Sequence, residues 1–60
     1  MYGVKEHSEP FRYYVSGQPG RNCLVVGVAE AGARMSKQEA IHLAYEMRLH
    51  GWDVSAFQWT

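Results

Sequence analysis

The sequence lacks a second cysteine, an excess of charge of either sign and any long apolar run. Cys23 alone cannot form an internal disulfide, which fits a reducing compartment. Six basic and six acidic side chains cancel, so no net charge holds the chain on nucleic acid or on an anionic membrane. No apolar run approaches the roughly 18 residues of a membrane span, and the N-terminus has no signal-peptide core. We therefore expect a cytoplasmic protein without membrane contact.

The sequence also lacks the patterns that catalysis and cofactor binding require. His42 and His50 would lie two helical turns apart, about 12 Å, which is too far for them to share a metal ion. The segment "SGQPGRN" has glycines but neither the lysine nor the following helix of a phosphate-binding loop. Cys23 lies in an apolar segment, where cysteine is usually a small buried hydrophobe. We therefore predict a protein that is not an enzyme and has no catalytic residues, metal or cofactor.

The clearest predicted element is a helix that begins after Ser36. Ser36 and Glu39 have the S-x-x-E spacing of a capping box, in which each side chain bonds the backbone of the other residue. Gly51 supplies the left-handed residue that ends the helix, and Trp52 can fold back on its last turn. An apolar stripe at i, i+3, i+4, i+7 contains Ala40, Leu43, Ala44 and Met47. This stripe indicates that one side of the helix lies on a sheet.

Three segments around this helix are predicted strands. Residues 11–15 alternate and are rich in aromatic side chains, and residues 23–29 follow a strong turn signal. Residues 54–59 form the third strand. It could pair antiparallel with a strand of the hairpin, but the length of the helix leads us to expect that it runs parallel to the second strand through a right-handed crossover. Residues 1–10 are an N-terminal arm. Residues 11–60 then form a single β-β-α-β domain of the α+β class, a three-stranded sheet with one helix packed on one face.

Apolar residues on both faces of the predicted strands indicate a surface for a partner. One helix covers only one face of the sheet, and a contiguous apolar patch is typical of an interaction site. The helix also has an outward ridge at i, i+3 and i+7, a spacing typical of helix-in-groove binding. The alternative is that Tyr45 and Leu49 pack under the last strand or the arm. We predict a larger protein as the partner, or a homodimer formed through sheet faces or edges. The predicted partner-binding residues are Tyr14, His42, Tyr45, Leu49, Phe57 and Trp59.

Weak nucleic-acid binding is the alternative function. Its predicted residues are Arg12, Arg21, Arg34 and Lys37. They fall on the hairpin and the helix start, while the acids gather elsewhere, so a basic edge could form despite zero net charge. Exposed sheet aromatics could stack on bases. The segment "QPGRN", followed by an apolar strand and "SKQEAIHLAYEMRL", resembles the later part of a double-stranded-RNA-binding domain, although Lys37 stands alone where that family clusters lysines.

Three further resemblances concern the whole chain or its strand–helix–strand part. By its length and its mix of one capped helix with exposed aromatics, the chain resembles the short early accessory proteins of lambda-type bacteriophages. That resemblance implies a protein that binds a host enzyme and alters it, and it implies no catalytic residues. The segments "VVGVAEAG" and "SKQEAIHLAYEMRLHGWDVSAF" are similar to half of the cell-wall-binding SPOR module and to half of a ferredoxin-like fold, which implies a dimer.

Overall fold

The computed structural model describes all 60 residues, which form four strands, a short 3₁₀ turn and one α-helix. In chain order the elements are β1 (Tyr2–Glu6), β2 (Tyr13–Gln18), β3 (Arg21–Val26), the 3₁₀ turn (Ala29–Ala31), α1 (Lys37–Leu49) and β4 (Val54–Gln58). The strands form one antiparallel sheet in the order β3-β2-β1-β4. The predicted α+β class, with a single helix, is confirmed.

The predicted three-stranded β-β-α-β layout is wrong, because the sheet has a fourth strand. This strand, β1, comes from the segment predicted as an arm, and it lies between β2 and β4. Val4 on β1 is almost completely buried, whereas Gly3 and Lys5 face the other way. β4 pairs antiparallel with β1, with Gly3 opposite Phe57, so the expected parallel crossover is also wrong. A single apolar side chain between a glycine and a lysine gives little strand signal on its own.

Helix α1 begins and ends as the sequence predicts. The Ser36 hydroxyl accepts a hydrogen bond from the Glu39 N–H, and the Glu39 carboxylate accepts one from the Ser36 N–H, each at 3.1 Å. Hydrogen bonding of the carboxylate with the Ser36 backbone N–H, and then with the Ser36 side chain, lowers the pKa of Glu39. At the other end the Trp52 N–H donates to the Met47 carbonyl at 3.1 Å. Gly51, at φ +94°, provides the left-handed turn between them.

The hydrophobic core lies between α1 and the two strands β1 and β4. Its five buried residues are Val4, Ala40, Ala44, Met47 and Val54. The two alanines allow the helix to approach the sheet closely, and the predicted apolar stripe is the side of the helix that faces it. On folding, a chain of this length buries a smaller share of its surface than a larger domain does. Packing outside this core therefore also has to stabilise the fold.

Strands β1 and β2 separate after one paired position, and another segment fills the gap. Their register pairs Lys5 with Tyr13 only. Beyond that point residues 33–35 lie between the strands. The Ala33 N–H donates to the Tyr14 carbonyl at 2.9 Å, and Met35 exchanges two 2.8 Å backbone hydrogen bonds with Tyr2. The connection before α1 is therefore held against the sheet, next to the C-terminal end of β4.

Candidate functional site

The face of the sheet opposite α1 carries a cluster of three aromatic rings. Tyr13 comes from β2, Phe57 from β4, and Trp59 directly follows β4. The ring centroids lie 4.5 Å apart for Phe57 and Trp59, 5.6 Å for Tyr13 and Trp59, and 5.9 Å for Tyr13 and Phe57. Gly3 on the intervening strand has no side chain, so the rings meet above it. We call these three residues, together with Lys5 and Arg34, the aromatic face.

Trp59 is fixed in this cluster by contacts on several sides. Its indole Nε1–H donates to the Ala33 carbonyl at 3.3 Å, and the Arg34 guanidinium lies 3.8 Å from its ring centroid. A Cβ atom added to Gly3 would come within 2.6 Å of the indole, and one added to Gly32 within 2.8 Å. The ring therefore rests on two glycines and ties the C-terminus to the connection before α1.

Two cations border the aromatic rings without a carboxylate partner. The Lys5 ammonium lies 4.8 Å from the Phe57 ring centroid and 5.3 Å from that of Phe11. Arg34 stacks on Trp59 and donates a 2.6 Å hydrogen bond to a backbone carbonyl. Neither cation belongs to an ion pair. The aromatic face is therefore locally positive in a chain of zero net charge.

Apolar surface continues from the aromatic face towards the edge of the sheet. Val26 on β3 lies opposite Tyr13 and shares its face. Leu24 lies two residues earlier on β3, hence on the same side, and is 48% exposed. Phe11, which contacts Lys5, is 40% exposed. Exposed apolar side chains thus border the half-buried rings of the aromatic face on the side of β2 and β3.

A second exposed surface runs along the outer side of α1. Ile41, Tyr45 and Leu49 are 49%, 57% and 68% exposed, and they follow one another at intervals of four residues, so they form one row. We call these three residues the helix ridge. His42, predicted as a partner-binding residue beside Tyr45 and Leu49, is also exposed and lies 3.4 Å from the Glu46 carboxylate. Ile41 directly follows Ala40 of the apolar stripe, but its side chain is exposed and belongs to this ridge.

Tyr14 lies away from the other predicted partner-binding residues. It packs against the core from the helix side, and its hydroxyl donates to the Gly17 carbonyl at 2.7 Å. This partial burial raises the pKa of its phenol. Phe57 and Trp59 are on the opposite face, where Tyr13 joins them. Strand alternation separates Tyr13 from Tyr14, but the choice between them depends on the pairing of β2 with β1, which the sequence did not reveal. Lys5 was missed for the same reason.

The four basic residues proposed for nucleic acid have separate surroundings. Arg12 donates two 2.8 Å hydrogen bonds to the Glu6 carboxylate. Arg21 is the first residue of β3, and Lys37 lies in the first turn of α1. Of the four, only Arg34 contacts the aromatic face.

The Arg12–Glu6 pair gives a prediction about pH. Hydrogen bonding from Arg12 lowers the pKa of Glu6 below its ordinary value of 4.5. Because the pKa of Glu6 is lower in the folded state, the pair stabilises the fold above pH 4.5. This stabilisation is lost as the pH falls through the folded-state pKa of Glu6. We expect Arg12→Gln to destabilise the protein at neutral pH, and its difference from wild type to shrink in acid. Urea unfolding at a series of pH values measures this difference.

Arg21→Gln is the control for this prediction, because the Arg21 guanidinium makes no ion pair. It removes the same charge and should show little change in stability at any pH. The free energy of unfolding could instead differ between Arg12→Gln and wild type by the same amount from neutral pH to below pH 4.5. That result would contradict the assignment of the pH dependence to Glu6.

Metal-binding side chains and the single thiol are the groups from which a reactive site could be built. No group of three or more His, Cys, Asp or Glu side chains is placed to hold a metal ion. Burial raises the pKa of the Cys23 thiol, which lowers the fraction of the nucleophilic thiolate. No buried side-chain polar atom lacks a hydrogen-bond partner. The aromatic face and the helix ridge offer contact area, aromatic anchors and two cations.

Fold and surface together describe a small α+β chain with two exposed contact surfaces. Comparison with protein-family models, curated proteins and solved structures finds no match to this chain. Neither α1 nor the 3₁₀ turn has the length and apolar character of a membrane-crossing helix.

Proposed function

We propose that this chain is a non-enzymatic binding protein that attaches to a larger protein through the aromatic face and modulates it. The observation that carries this proposal is a set of three packed rings bordered by two cations, on the side of the sheet that α1 does not cover. Tyrosine, tryptophan and arginine are the residue types that most often dominate binding energy at protein interfaces. The resemblance to phage accessory proteins suggests a cytoplasmic host protein as the partner.

The charge of the aromatic face indicates the chemistry of the partner segment. Lys5 and Arg34 have no carboxylate partner within the chain, and Glu6 points to the other side of β1 from Lys5. A partner segment with an aspartate or glutamate beside an apolar residue would pair with these cations and cover Phe57. A second copy of this chain suits the surface less well, because its cations would face those of the first copy.

Single-stranded nucleic acid is the second candidate for this surface. Rings beside cations can stack bases and contact phosphates, and Lys5 extends the predicted basic set onto the aromatic face. Two observations favour protein over nucleic acid. The ring of Trp59 is already covered by Arg34, and Arg12 is neutralised by Glu6.

A display library of random peptides, selected on the immobilised protein, tests the proposed function. We expect enriched peptides to combine acidic with apolar residues. Their affinity, measured by fluorescence anisotropy, should fall about tenfold with Lys5→Glu, because the reversed charge repels the acidic segment. Lys37→Glu makes the same charge change on α1, away from the aromatic face, and serves as the matched control. Circular dichroism confirms that both variants are folded.

Two results would overturn this proposal. Selected peptides that bind the Lys5→Glu and Lys37→Glu variants equally well would place the contact elsewhere on the chain. Binding of a short oligothymidylate that falls steeply between low and physiological salt, without peptide enrichment, would assign the surface to nucleic acid instead.

A further inference from the structure

We infer that the helix ridge is a homodimer interface, in which α1 packs antiparallel against α1 of a second copy about a two-fold axis at Tyr45. This inference does not rest on the proposed function, because it uses none of the residues of the aromatic face. Ile41, Tyr45 and Leu49 are the three exposed apolar side chains of α1. The opposite side of the helix is already buried on the sheet, so only this outward row can take another helix.

The order of residues along the ridge is self-complementary. Ile41 and Leu49 each lie four residues from Tyr45, about 6 Å along the helix axis. When two such helices run antiparallel about Tyr45, Ile41 of each copy meets Leu49 of the other. The two tyrosines meet at the axis. Rows at intervals of four residues interdigitate in the commonest class of helix packing, and a two-fold interface requires this kind of self-matching surface.

Charges at the two ends of the row extend the same symmetry. Lys37 lies eight residues before Tyr45, and Asp53 lies eight residues after it, just beyond the helix end. Lys37 makes no ion pair within the chain. The Asp53 side chain is 78% exposed, and one of its oxygens accepts its only side-chain hydrogen bond, from His7 Nδ1 at 2.8 Å. The antiparallel arrangement places Lys37 of each copy towards Asp53 of the other.

The placement of opposite charges at the two ends of the helix ridge favours a second copy of this chain over an unrelated protein as the partner. A groove on another protein would need apolar anchors, but it would not need opposite charges eight residues before and eight residues after Tyr45. The small core gives a physical reason for association as well, since a chain of 60 residues with five buried core residues gains much from additional apolar burial. The aromatic face does not compete for this role, because its charge is of one sign.

Sedimentation equilibrium from micromolar to millimolar protein tests the dimer. We expect a monomer–dimer equilibrium whose dissociation constant rises at least tenfold in Tyr45→Arg, because two like charges then meet at the axis. Val28→Arg adds the same charge at an exposed position just after β3, the edge strand farthest from β4, and should leave the equilibrium unchanged. Circular dichroism at low micromolar concentration checks that each variant is folded. A wild type that stays monomeric throughout, or a dimer that Tyr45→Arg leaves intact, overturns the inference.

A charge exchange tests the antiparallel register. Lys37→Asp and Asp53→Lys should each weaken the dimer, since each places like charges together, and the double variant should restore it towards the wild-type dissociation constant. A double variant that is no better than either single variant overturns this register. Binding of acidic peptides to the aromatic face should be the same in Tyr45→Arg and wild type, so that failure of the dimer and failure of the proposed function are separate results.

Discussion

Replacing Met47 by alanine should lower the free energy of unfolding by about 2–5 kcal/mol. Met47 is the largest of the completely buried side chains, and it fills the space between α1 and the strands β1 and β4. Two of the other four core residues are alanines, which cannot extend into the cavity left behind. Since the whole stability of a domain of this length is only about 3–9 kcal/mol, the substitution removes a large part of it. Urea unfolding followed by circular dichroism measures the change.

Leu49→Ala is the matched control for Met47→Ala. It removes a side chain of similar size from the same helix, but from a position that is 68% exposed. At low micromolar concentration, where association contributes little, we expect its stability to lie within about 0.5 kcal/mol of wild type. Equal losses in the two variants would contradict the assignment of the core to the side of α1 that contains Met47.

Replacing Gly3 by alanine should cost about 1–3 kcal/mol, because one methyl group overfills the site beneath Trp59. The added Cβ atom would lie 2.6 Å from the indole nitrogen and 3.1 Å from the Ala33 carbonyl oxygen. The indole cannot move away freely, since it is hydrogen-bonded to that same carbonyl and stacked on Arg34. We expect the ring to be displaced and its hydrogen bond to Ala33 to be lost.

Two measurements check the Gly3→Ala prediction. Urea unfolding gives the loss of stability, and the Trp59 indole N–H resonance in a proton–nitrogen spectrum should shift and exchange faster with solvent. Gly27→Ala is the control, because nothing lies within 4 Å of a Cβ atom at that position and its φ is not in the left-handed region. A Gly3→Ala variant as stable as Gly27→Ala, with an unchanged indole signal, would show that Trp59 does not rest on β1.

The helix and its ends could be predicted because their signals are local. The capping box joins Ser36 to Glu39, and the ending joins Trp52 to Met47, so each contact spans only three to five residues. The apolar stripe follows from the helical period in the same way. These features need no knowledge of the rest of the chain, and the structure has them where the sequence placed them.

The sheet could be predicted only in part. The hairpin was recognised from its turn residues, but its strands begin at Tyr13 and Arg21 rather than at residues 11 and 23. Residues 1–10 were assigned to an arm because they contain Gly3, the charged residues Lys5, Glu6 and Glu9, and Pro10. The identity of β1 as a strand comes from its partners, since it pairs with β4 along its whole length. Without β1, the face on which each aromatic residue lies could not be assigned.

The α+β class and the extent of α1 follow from the sequence alone. The sequence left open whether Tyr45 and Leu49 face outward or pack under the last strand or the arm, and the structure shows both exposed. The pairing of the strands, which the sequence does not reveal, brings Tyr13 rather than Tyr14 next to Phe57 and Trp59. The tertiary structure also places Lys5 and Arg34 beside these rings. The physical reason is the range of the interactions. A helix closes its hydrogen bonds within four residues, whereas a strand closes them on distant parts of the chain, and the aromatic face is built from strands.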